Sequence, residues 1–320
     1  MMGRPMATSQ DFVNWVCSDE LNPHFLKYAL LSETRALRMF AVGSVHPTIY
    51  FPEVKAFHIC APSRPEQDRI ADVLCALDDK IELNRRMNET LEAMARAIFK
   101  DWFVDFGPTR AKMEGRAPYL HSEIWSIFPK RLDPEALPEG WTTCRLLDLC
   151  ELKRGYDLPT GKRQEGLFPI VSSSGISGTH AHPMVSGPGV VTGRYGTIGE
   201  VFYIEGDFWP LNTALYVSDF KGSEPRFIYY LLSGLDFTAY SDKGAVPGIN
   251  RNHLHEHKAI LVQREAQKLF IELLDPNWKR QQLNRDEVRT LTTIRDLLLP
   301  KLMSGEMHIK DAEKVLEAAL

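Results

Sequence analysis

Basic side chains gather on glycine- and proline-rich loops in the second half of the chain, where they could contact an anion or a nucleic acid. Positive charge attracts phosphate, and Arg can pair bidentately with guanine and Asn with adenine. Recognition residues normally lie on loops of a rigid scaffold. The pattern therefore predicts contacts to DNA, with a solvated surface charge as the alternative for each single residue. The predicted contact residues are Lys153, Arg154, Lys162, Arg163, Arg194, Tyr195, Lys243, Arg251, Asn252 and His255.

The region that carries these residues is not basic as a whole. Residues 137–263 contain eleven Lys and Arg against thirteen Asp and Glu, and the full chain has a formal net charge of −4. A protein that simply coats DNA needs an excess of positive charge, so this balance argues against that class. We expect the isolated chain to bind DNA weakly and with strong dependence on salt.

Residues that could perform catalysis are scarce. Glu53 and Lys55 form a Glu-x-Lys tripeptide of the kind found in nuclease cores, but no suitable acidic partner precedes it, and Pro52 disturbs its context. The motifs Asn-Pro-Pro-Tyr and Asp-Pro-Pro-Tyr, which base methylation uses, are absent. The sequence therefore predicts a chain without catalysis of its own. Metal-dependent cleavage by the purified chain would instead identify an independent nuclease.

The glycine spacing in the segment RYGTIG, residues 194–199, has two interpretations. Glycines at 193, 196 and 199 could indicate a phosphate-binding loop, but neither Lys-Ser nor Lys-Thr follows, and no helical pattern begins there. The residues favour a tight turn between two strands, which presents Arg194.

The second half of the chain also contains short β-rich segments bounded by Gly, Pro and Ser. The segments PIVSSSG, GVVTG and EVFYI predict strands, and PRFIYYLLSGL predicts a short helix.

Histidines and cysteines could bind a metal, but their spacing does not favour it. His253, His255 and His257 alternate as on a strand, and His180 and His182 lie in a loop; no Cys or carboxylate completes a ligand set. Polar residues on a strand face are the favoured interpretation. The cysteines are five, an odd number, and form no CxxC pair, which predicts free thiols. They are Cys17, Cys60, Cys75, Cys144 and Cys150.

Neither a membrane span nor a signal peptide is indicated. No apolar run approaches the roughly 20 residues that cross a bilayer. The first residues, MMGRPMATSQDF, contain no apolar core of a signal peptide. We therefore expect a cytoplasmic protein that does not associate with membranes.

The chain contains an internal repeat. A shift of 200 positions superposes the segment around 47–106 on the segment around 247–306, and further upstream the shift is 202. A repeat this long indicates two domain-sized copies rather than a solenoid. Matching pairs include Arg64 with Arg264, Gln67 with Gln267, Leu74 with Leu274, Asn84 with Asn284, Leu91 with Leu291, Pro23 with Pro225 and Tyr28 with Tyr230.

Each copy ends in a long helical pattern with apolar residues at steps of three and four, a heptad seam. Two such seams in one chain would most simply pack on each other; the alternative is that each packs on its own domain. Asn84 and Asn88 fill two seam positions, where they either fix the register or face solvent. Pro276 predicts a bend or a break. The residues predicted to pair the helices are Ile70, Leu74, Leu77, Ile81, Leu91, Ile98, Leu274, Val288, Leu291 and Leu298.

The chain resembles the specificity subunit of Type I restriction–modification enzymes. The resemblance lies in EQDRIADVLCALDDKIELN and MNETLEAMARAIFKDWFVDF, and in LPEGW, RYGTIGEV and RDLLLPKLMSGE, which occur in the family's order and spacing. Together they span nearly the whole chain. In that family, globular target-recognition domains alternate with long helices, which pair antiparallel, hold the domains at a set distance and dock two methyltransferase subunits.

The resemblance implies an α+β fold, in which a mostly-β target-recognition domain alternates with long helices that pair as an antiparallel coiled coil. It divides the chain into a remnant of a first target-recognition domain (1–64), a first long helix (65–106), a linker (107–136), a complete target-recognition domain (137–263), a second long helix (264–305) and a tail (306–320). The remnant matches only the carboxyl-terminal part of the complete domain. A truncated gene, a mis-assigned start and a natural half-length form that self-associates are all compatible with this.

The resemblance also implies what the chain does and with which partners. We expect a non-catalytic subunit that reads a half-site of double-stranded DNA and docks methyltransferase subunits, with a restriction and translocation subunit joining the complex. S-adenosylmethionine, ATP and magnesium would serve the partners, and no cofactor is expected in this chain. The alternative is a degenerate or half-length subunit that binds methyltransferase as a protein–protein module and no longer reads DNA.

Overall fold

The computed structural model describes residues 13–41, 48–242 and 248–319. The chain forms two compact units. Unit 1 comprises residues up to Leu91 together with those from Trp278 onward, and unit 2 comprises Glu92–Asn277. Each of the two long helices contributes residues to both units.

Helices make up most of unit 1. Both long helices are 40 residues long, which confirms the two helical patterns of the sequence. The helices that lie in unit 1 or extend into it are α1 (Pro23–Ser32), α2 (Thr34–Phe40), α3 (Phe51–Ala56), α4 (Arg64–Phe103), α10 (Arg264–Met303) and α11 (Ile309–Ala319).

The two long helices pack antiparallel in unit 1, as the fold class requires. The carboxylate of Asp78 lies 2.9 Å from the guanidinium of Arg295, and further along α4 the ammonium of Lys80 lies 3.3 Å from Glu287. Apolar residues of both helices and of α1 form one buried core. Of the predicted pairing residues, this core contains Ile70, Leu74, Leu77, Ile81, Leu291 and Leu298, with Val288 packed against it.

The remaining predicted pairing residues lie outside that core. Leu91 belongs to unit 1 and is half-buried, whereas Ile98 and Leu274 belong to unit 2, where Ile98 is half-buried and Leu274 fully buried. In unit 2, the antiparallel helices meet through aromatic rings, with the centroids of Phe99 and Phe270 at 5.6 Å. The heptad pattern did not include Phe99 among the pairing residues, because it assigned the preceding residue, Ile98, to the seam.

Both seam asparagines bond across the helix pair. Asn84 is buried, and its amide donates to a carboxylate oxygen of Glu287 at 2.9 Å. Asn88 donates to the carbonyl of Gln281 at 3.1 Å and accepts from the amide of Asn284 at 2.8 Å. The solvent-facing alternative is therefore wrong. Because Asn84 and Asn284 are equivalent in the repeat, the polar layer is built by the same position of both copies.

Helix α10 runs without interruption through Pro276 and Pro300. A break near Asp275, one of the two outcomes predicted from Pro276, is therefore excluded. Packing of the flanking residues Leu274 and Trp278, which are both buried, outweighs the backbone hydrogen bond that proline removes.

Unit 2 contains the strands. Its central sheet is antiparallel and has the strand order β2 (Glu151–Arg154), β8 (Ala214–Asp219), β5 (Gly189–Gly193) and β6 (Val201–Ile204). A three-stranded sheet has the order β4 (Gly175–His180), β3 (Phe168–Ser172) and β7 (Trp209–Pro210). The β-rich segments at 168–172, 189–193 and 201–204 confirm the strand patterns in the sequence. The remaining strands are β1 (Thr142–Arg145), β9 (Ser241–Asp242), β10 (Gly248–Ile249) and β11 (Lys258–Leu261).

Short helices complete unit 2. They are α5 (Gly107–Met113), α6 (Ser122–Ile127), α7 (Leu146–Leu149), α8 (Pro225–Ser233) and α9 (Arg251–His255). α8 confirms the short helix predicted in PRFIYYLLSGL and packs against β5 and β6. The segment predicted as an aperiodic linker, 107–136, contains α5 and α6. The ammonium of Lys112 bonds the carbonyls of Trp125 and Phe128, which joins the two helices.

The repeat is visible as the same hydrogen-bond arrangement in both units. In unit 1, buried Gln67 accepts from the backbone N–H of Asn22 at 2.9 Å and donates to the carbonyl of Pro62 at 2.9 Å. In unit 2, buried Gln267 accepts from Glu224 N–H and donates to the carbonyl of Val262, both at 3.1 Å. Each glutamine thus ties the start of a short helix, α1 or α8, to the start of a long one.

Candidate nucleic-acid interface

Five of the ten predicted contact residues line a single open cleft of about 390 Å³ in unit 2. Its rim carries three guanidinium groups, and its floor is apolar. Convergent cationic and amide side chains around a concave surface are suited to bind phosphate or the edges of bases. The lining residues are Arg154, Arg194, Tyr195, Leu215, Ile249, Asn250, Arg251 and Asn252.

Strand pairing brings these residues together from distant parts of the sequence. Arg154, the last residue of β2, pairs with Leu215 of β8, and Leu215 pairs on its other side with Thr192 of β5. The loop after β5 therefore begins next to Arg154. Arg194 then accepts at its carbonyl from Ile249 N–H at 2.9 Å, which brings α9 and its first residues to the same cleft.

The segment RYGTIG connects two strands, as predicted, but the connection is a loop that spans residues 194–200 and not a tight turn. β5 ends at Gly193, β6 begins at Val201, and the two strands pair antiparallel. Gly196 and Gly199 have φ values of 83° and 92°, a left-handed backbone that glycine adopts without steric cost. The segment therefore presents Arg194 and Tyr195 on a loop between the two strands.

The three arginines have different electrostatic surroundings. A guanidinium nitrogen of Arg154 lies 3.2 Å from the carboxylate of Asp157, which also accepts from the amide of Asn212. Arg194 lies over the ring of Tyr195, at 4.4 Å from its centroid. Among the described residues, neither Arg194 nor Arg251 forms a salt bridge. Their positive charges remain available to a bound anion.

Four predicted contact residues lie elsewhere or cannot be placed. Lys153 lies 3.6 Å from Glu151, Lys162 is exposed in a short turn, and Arg163 donates to the carbonyl of Ser177 at 3.4 Å. None of these three lines the cleft. Lys243 lies outside the described residues.

His255 is placed where it cannot serve a bound nucleic acid. Its ring is buried, and its Nε2 accepts from the backbone N–H of Leu152 at 2.9 Å. Burial, followed by the charge of Arg251, lowers the pKa of His255 below its usual value. The strand interpretation of the alternating histidines is also wrong, because His253 and His255 lie in α9. Within this helix, His255 is buried and His253 is exposed.

Sequence reasoning missed three lining residues, Asn250, Leu215 and Ile249. Asn250 caps α9, since its side chain accepts from Asn252 N–H at 3.0 Å. An Asn before a short helical pattern is the signal that could have indicated this cap. Leu215 and Ile249 are buried and form the apolar floor, which no local pattern distinguishes from ordinary core.

The structure also bears on the predictions about cysteines, metal ligands and membrane-spanning helices. All five cysteines are free thiols, as predicted. In the described ranges, no group of three or more His, Cys, Asp and Glu side chains could hold a metal ion. No helix of the described part of the chain has the length and apolar composition that a bilayer span requires.

The helix pair of unit 1 carries apolar residues on its outer surface. Leu83 of α4 is 55% exposed and Leu283 of α10 is 62% exposed. These two residues are equivalent in the repeat, so both helices present the same apolar side chain to solvent. Leu297, also on α10, is similarly exposed.

Comparisons with known proteins connect this architecture with one family. The sequence pattern of the Type I restriction modification DNA specificity domain matches residues 2–93 and 138–292, one segment for each copy of the repeat. The MjaIX specificity subunit of Methanocaldococcus jannaschii, named as part of a Type I restriction enzyme, is 27% identical over 96% of this chain and 74% of that protein. The HindI specificity subunit of Haemophilus influenzae is 25% identical over 95% of this chain and 84% of that protein.

A solved structure has the same fold. The S subunit of a Type I restriction-modification system from M. genitalium superposes with a TM-score of 0.56 at 20% sequence identity. The superposition covers 88% of this chain and 73% of the other.

Proposed function

The chain belongs to the family of Type I restriction–modification DNA specificity domains, and on this premise we propose that it is the DNA-recognition subunit of such a complex. In this proposal, unit 2 reads one half-site of the target sequence. The two long helices dock methyltransferase subunits, and the partner chains carry out the reactions.

The cleft of unit 2 is the observation that supports the proposed half-site reading most directly. It gathers Arg154, Arg194 and Arg251 with the amide of Asn252 on one surface, although these residues are far apart in the sequence. Arg and Asn are the side chains that recognise guanine and adenine bidentately in the major groove. An apolar floor with a cationic rim is also able to contact the methyl group of thymine.

The net charge of the chain limits the affinity with which the chain alone binds DNA. With a net charge of −4, the chain cannot gain much affinity from long-range attraction to phosphate. The cleft supplies local positive charge, and partner subunits supply the remaining phosphate contacts. Sequence reading and affinity are therefore divided between different chains of the proposed complex.

The outer surface of the helix pair supports the proposed docking of methyltransferase subunits. Leu83 and Leu283 are exposed at equivalent positions of two antiparallel helices. Two equivalent surfaces suit two copies of the same partner. We expect Leu83→Asp and Leu283→Asp to weaken methyltransferase binding, with Glu89→Ala, an exposed position of α4, as the matched control.

The reactions and their cofactors belong to the partners in this proposal. Methyltransferase subunits would methylate adenine with S-adenosylmethionine, and a restriction and translocation subunit would use ATP and magnesium. The assembled complex would act in the cytoplasm on double-stranded DNA. Two copies of the chain could also associate with each other, which the mass of the purified chain in solution will decide.

A reconstituted methylation reaction tests the proposal. The purified chain is mixed with its cognate methyltransferase and S-adenosylmethionine, and methylated adenines are mapped on a DNA library. We expect methylation confined to one sequence class, and no sequence-specific methylation when the chain is omitted. A stable complex that methylates without sequence preference would contradict DNA reading and favour a protein–protein module.

A further inference from the structure

Unit 2 contains a second concave surface, which shares no lining residue with the arginine cleft. It is an open cavity of about 490 Å³, lined by the end of α4, by α8 and by β11. Its floor is aromatic, since the rings of Phe99 and Phe103 contact that of Phe227, with centroids 5.3 and 5.2 Å apart, and Tyr230 lies beside them. A cavity of this size and composition is suited to accept apolar groups of another molecule.

The internal repeat shows what packs on the equivalent residues of the other copy. At the repeat shifts of 200 and 202, the four aromatic floor residues correspond to Leu299, Met303, Phe25 and Tyr28. All four belong to one core of unit 1, to which α11 contributes Ala312, Leu316 and Ala319. Because these three residues are spaced by four and by three positions, they lie on one face of α11. In unit 1, the apolar face of a helix is therefore part of this core.

The segment that follows α4 in unit 2 takes a different course. α5 has seven residues, compared with eleven in α11. None of the residues that line the cavity lies in the segment 107–136. Val104, which follows α4 and lines the cavity, is 53% exposed. The apolar surface thus stays open to solvent, and its burial would favour binding of an amphipathic helix.

The rim of the cavity is cationic. Arg96, Lys100 and Lys258 line it, and the described lining residues include no Asp or Glu. Arg96 pairs with Glu92 and Lys100 with Asp105, but all four side chains are at least partly exposed, so these pairs contribute little and can exchange partners. A complementary partner therefore carries carboxylates next to its apolar residues.

The wall of the cavity also contains a polar group that lacks a partner. Ser233, the last residue of α8, lines the cavity, and its hydroxyl oxygen is buried without a hydrogen-bond partner among the described residues. An unsatisfied buried hydroxyl is unfavourable. A polar group of an inserted partner can satisfy it, so the wall offers a directional contact in addition to apolar surface.

We propose that this cavity binds an amphipathic helix of the methyltransferase subunit, with apolar side chains in the cavity and carboxylates at its cationic rim. The proposal rests on the proposed function, since it names the contact through which unit 2 holds that partner. The cavity is built partly on α4, one of the two helices assigned to methyltransferase docking. Its residues are distinct from Leu83 and Leu283 of unit 1.

The test measures the affinity of the purified full chain for its purified cognate methyltransferase subunit by calorimetry, without DNA. Val104→Asp places a carboxylate in the wall at an exposed position, which the fold tolerates. We expect the Kd to rise by roughly tenfold to a hundredfold, as for a lost interface anchor. Leu167→Asp is the matched control, because Leu167 is 92% exposed in unit 2 and lines neither the cavity nor the arginine cleft. It should leave the Kd unchanged.

Charge reversal at the rim supplies a second measurement. Lys258→Glu should raise the Kd by roughly twofold to fivefold, the range for an exposed ion pair, and the effect should decrease at high salt. Lys268→Glu, at an exposed position of α10 that does not line the cavity, should have no such effect. Thermal melting shows that each variant is folded. In the wild type, which needs no substitution, amide hydrogen exchange of residues 231–235 should slow when the methyltransferase binds.

Three outcomes would overturn the proposal. The first is an equal Kd for Val104→Asp and Leu167→Asp, and the second is unchanged exchange of residues 231–235 in the complex. The third is an effect of Val104→Asp or Lys258→Glu only on self-association or only on DNA binding, which would assign the cavity to a second copy or to nucleic acid. In each case, a wild-type complex that methylates a defined sequence retains the proposed function. Failure of the wild-type chain to bind methyltransferase would remove both.

Discussion

At the scale of single residues, unit 1 contains a half-buried polar group with several partners. Asp78 in unit 1 accepts from Lys27 at 2.6 Å, from the hydroxyl of Tyr28 at 2.8 Å and from Arg295 at 2.9 Å. Burial acts to raise the pKa of Asp78, but these three hydrogen bonds outweigh burial and leave the pKa below its usual value. Burial, and then the hydrogen bond to Asp78, raise the pKa of Tyr28. One carboxylate therefore joins α1, α4 and α10.

We predict that Asp78→Asn destabilises the protein by about 1–3 kcal/mol, since it removes charge-assisted hydrogen bonds and retains the side-chain shape. Chemical denaturation at neutral pH measures the loss. Asp79→Asn, a change at the next and exposed position of α4, should have an effect within about 0.5 kcal/mol. Equal losses for both variants would contradict the role of Asp78.

The pH dependence of Asp78 has a defined sign. Its folded pKa lies below that of the unfolded chain, so its contribution to stability is present above the unfolded pKa and is lost as the pH falls through the folded pKa. The Asn variant lacks this contribution, and its stability should fall less steeply in acid than that of the wild type.

His255 gives a second prediction, at higher pH. Burial first, and then Arg251, lower its pKa, while Glu151 and Glu256 partly oppose the shift. Because the unfolded chain binds the proton more readily, the stability that neutral His255 contributes is present above a pH of about 6.5 and is lost as the pH falls.

The variant His255→Gln isolates this effect, since an amide oxygen can accept from Leu152 N–H without titrating. Between pH 7.5 and 5.5, we expect the melting temperature of the wild type to fall more than that of the variant. The pKa of His257 is also lowered by burial, but this residue is present in both proteins and cancels in the comparison. Parallel melting curves would exclude His255 as the titrating group.

At the scale of elements, the same connection occurs in both units. One buried glutamine, Gln67 or Gln267, joins the start of a short helix to the segment that immediately precedes a long helix. The two copies of the repeat therefore share the apolar seam and also this hydrogen-bonded connection between a short helix and a long helix. This connection also explains why the repeat begins upstream of the long helices.

We predict that Gln267→Ala destabilises unit 2 by about 1–3 kcal/mol for each backbone group left unpaired, here Glu224 N–H and the Val262 carbonyl. Gln67→Ala should have a similar effect in unit 1. Gln282→Ala is the control, because that side chain bonds Asp286 one turn away on the surface. Amide hydrogen exchange measures the effect. In Gln267→Ala, the exchange rate should increase most, relative to the wild type, at the start of α8. Unchanged protection there would contradict the role assigned to Gln267.

At the scale of the whole molecule, the net charge of the chain and the charge of its cleft have opposite signs. The chain is acidic overall, whereas its cleft presents three guanidinium groups. A local cationic cleft on an acidic protein favours discrimination between sequences over tight binding. The proposed function therefore assigns most of the affinity for DNA to the assembled complex.

We predict that the isolated chain binds DNA weakly, because few phosphates are neutralised, and that this binding decreases further between roughly 50 and 200 mM salt, since each phosphate contact depends on counterion release. Fluorescence anisotropy with a duplex that contains the mapped target measures this. The complex with methyltransferase should bind the same duplex much more tightly and with a steeper salt slope. Tight binding by the isolated chain would contradict the proposed division of affinity and specificity.

The sequence by itself determined the features that depend on local periodicity and on comparison of the chain with itself. The steps of three and four that place Leu74, Leu77 and Ile81 on one face also place them in the core, because a helix of 3.6 residues per turn has few alternatives. The repeat and the family resemblance followed from residue order alone. So did the strands of unit 2 and the connection that carries Arg194.

Only the tertiary structure decided which polar residues meet. Arg154, Arg194 and Arg251 converge because β2, β8 and β5 pair across long stretches of sequence, and no local pattern encodes that pairing. His255 was also predicted to contact DNA, but the structure buries it, since residues 251–255 form the helix α9 and not the expected strand. Periodicity reports which face of an element is apolar, whereas a binding site depends on which elements become neighbours.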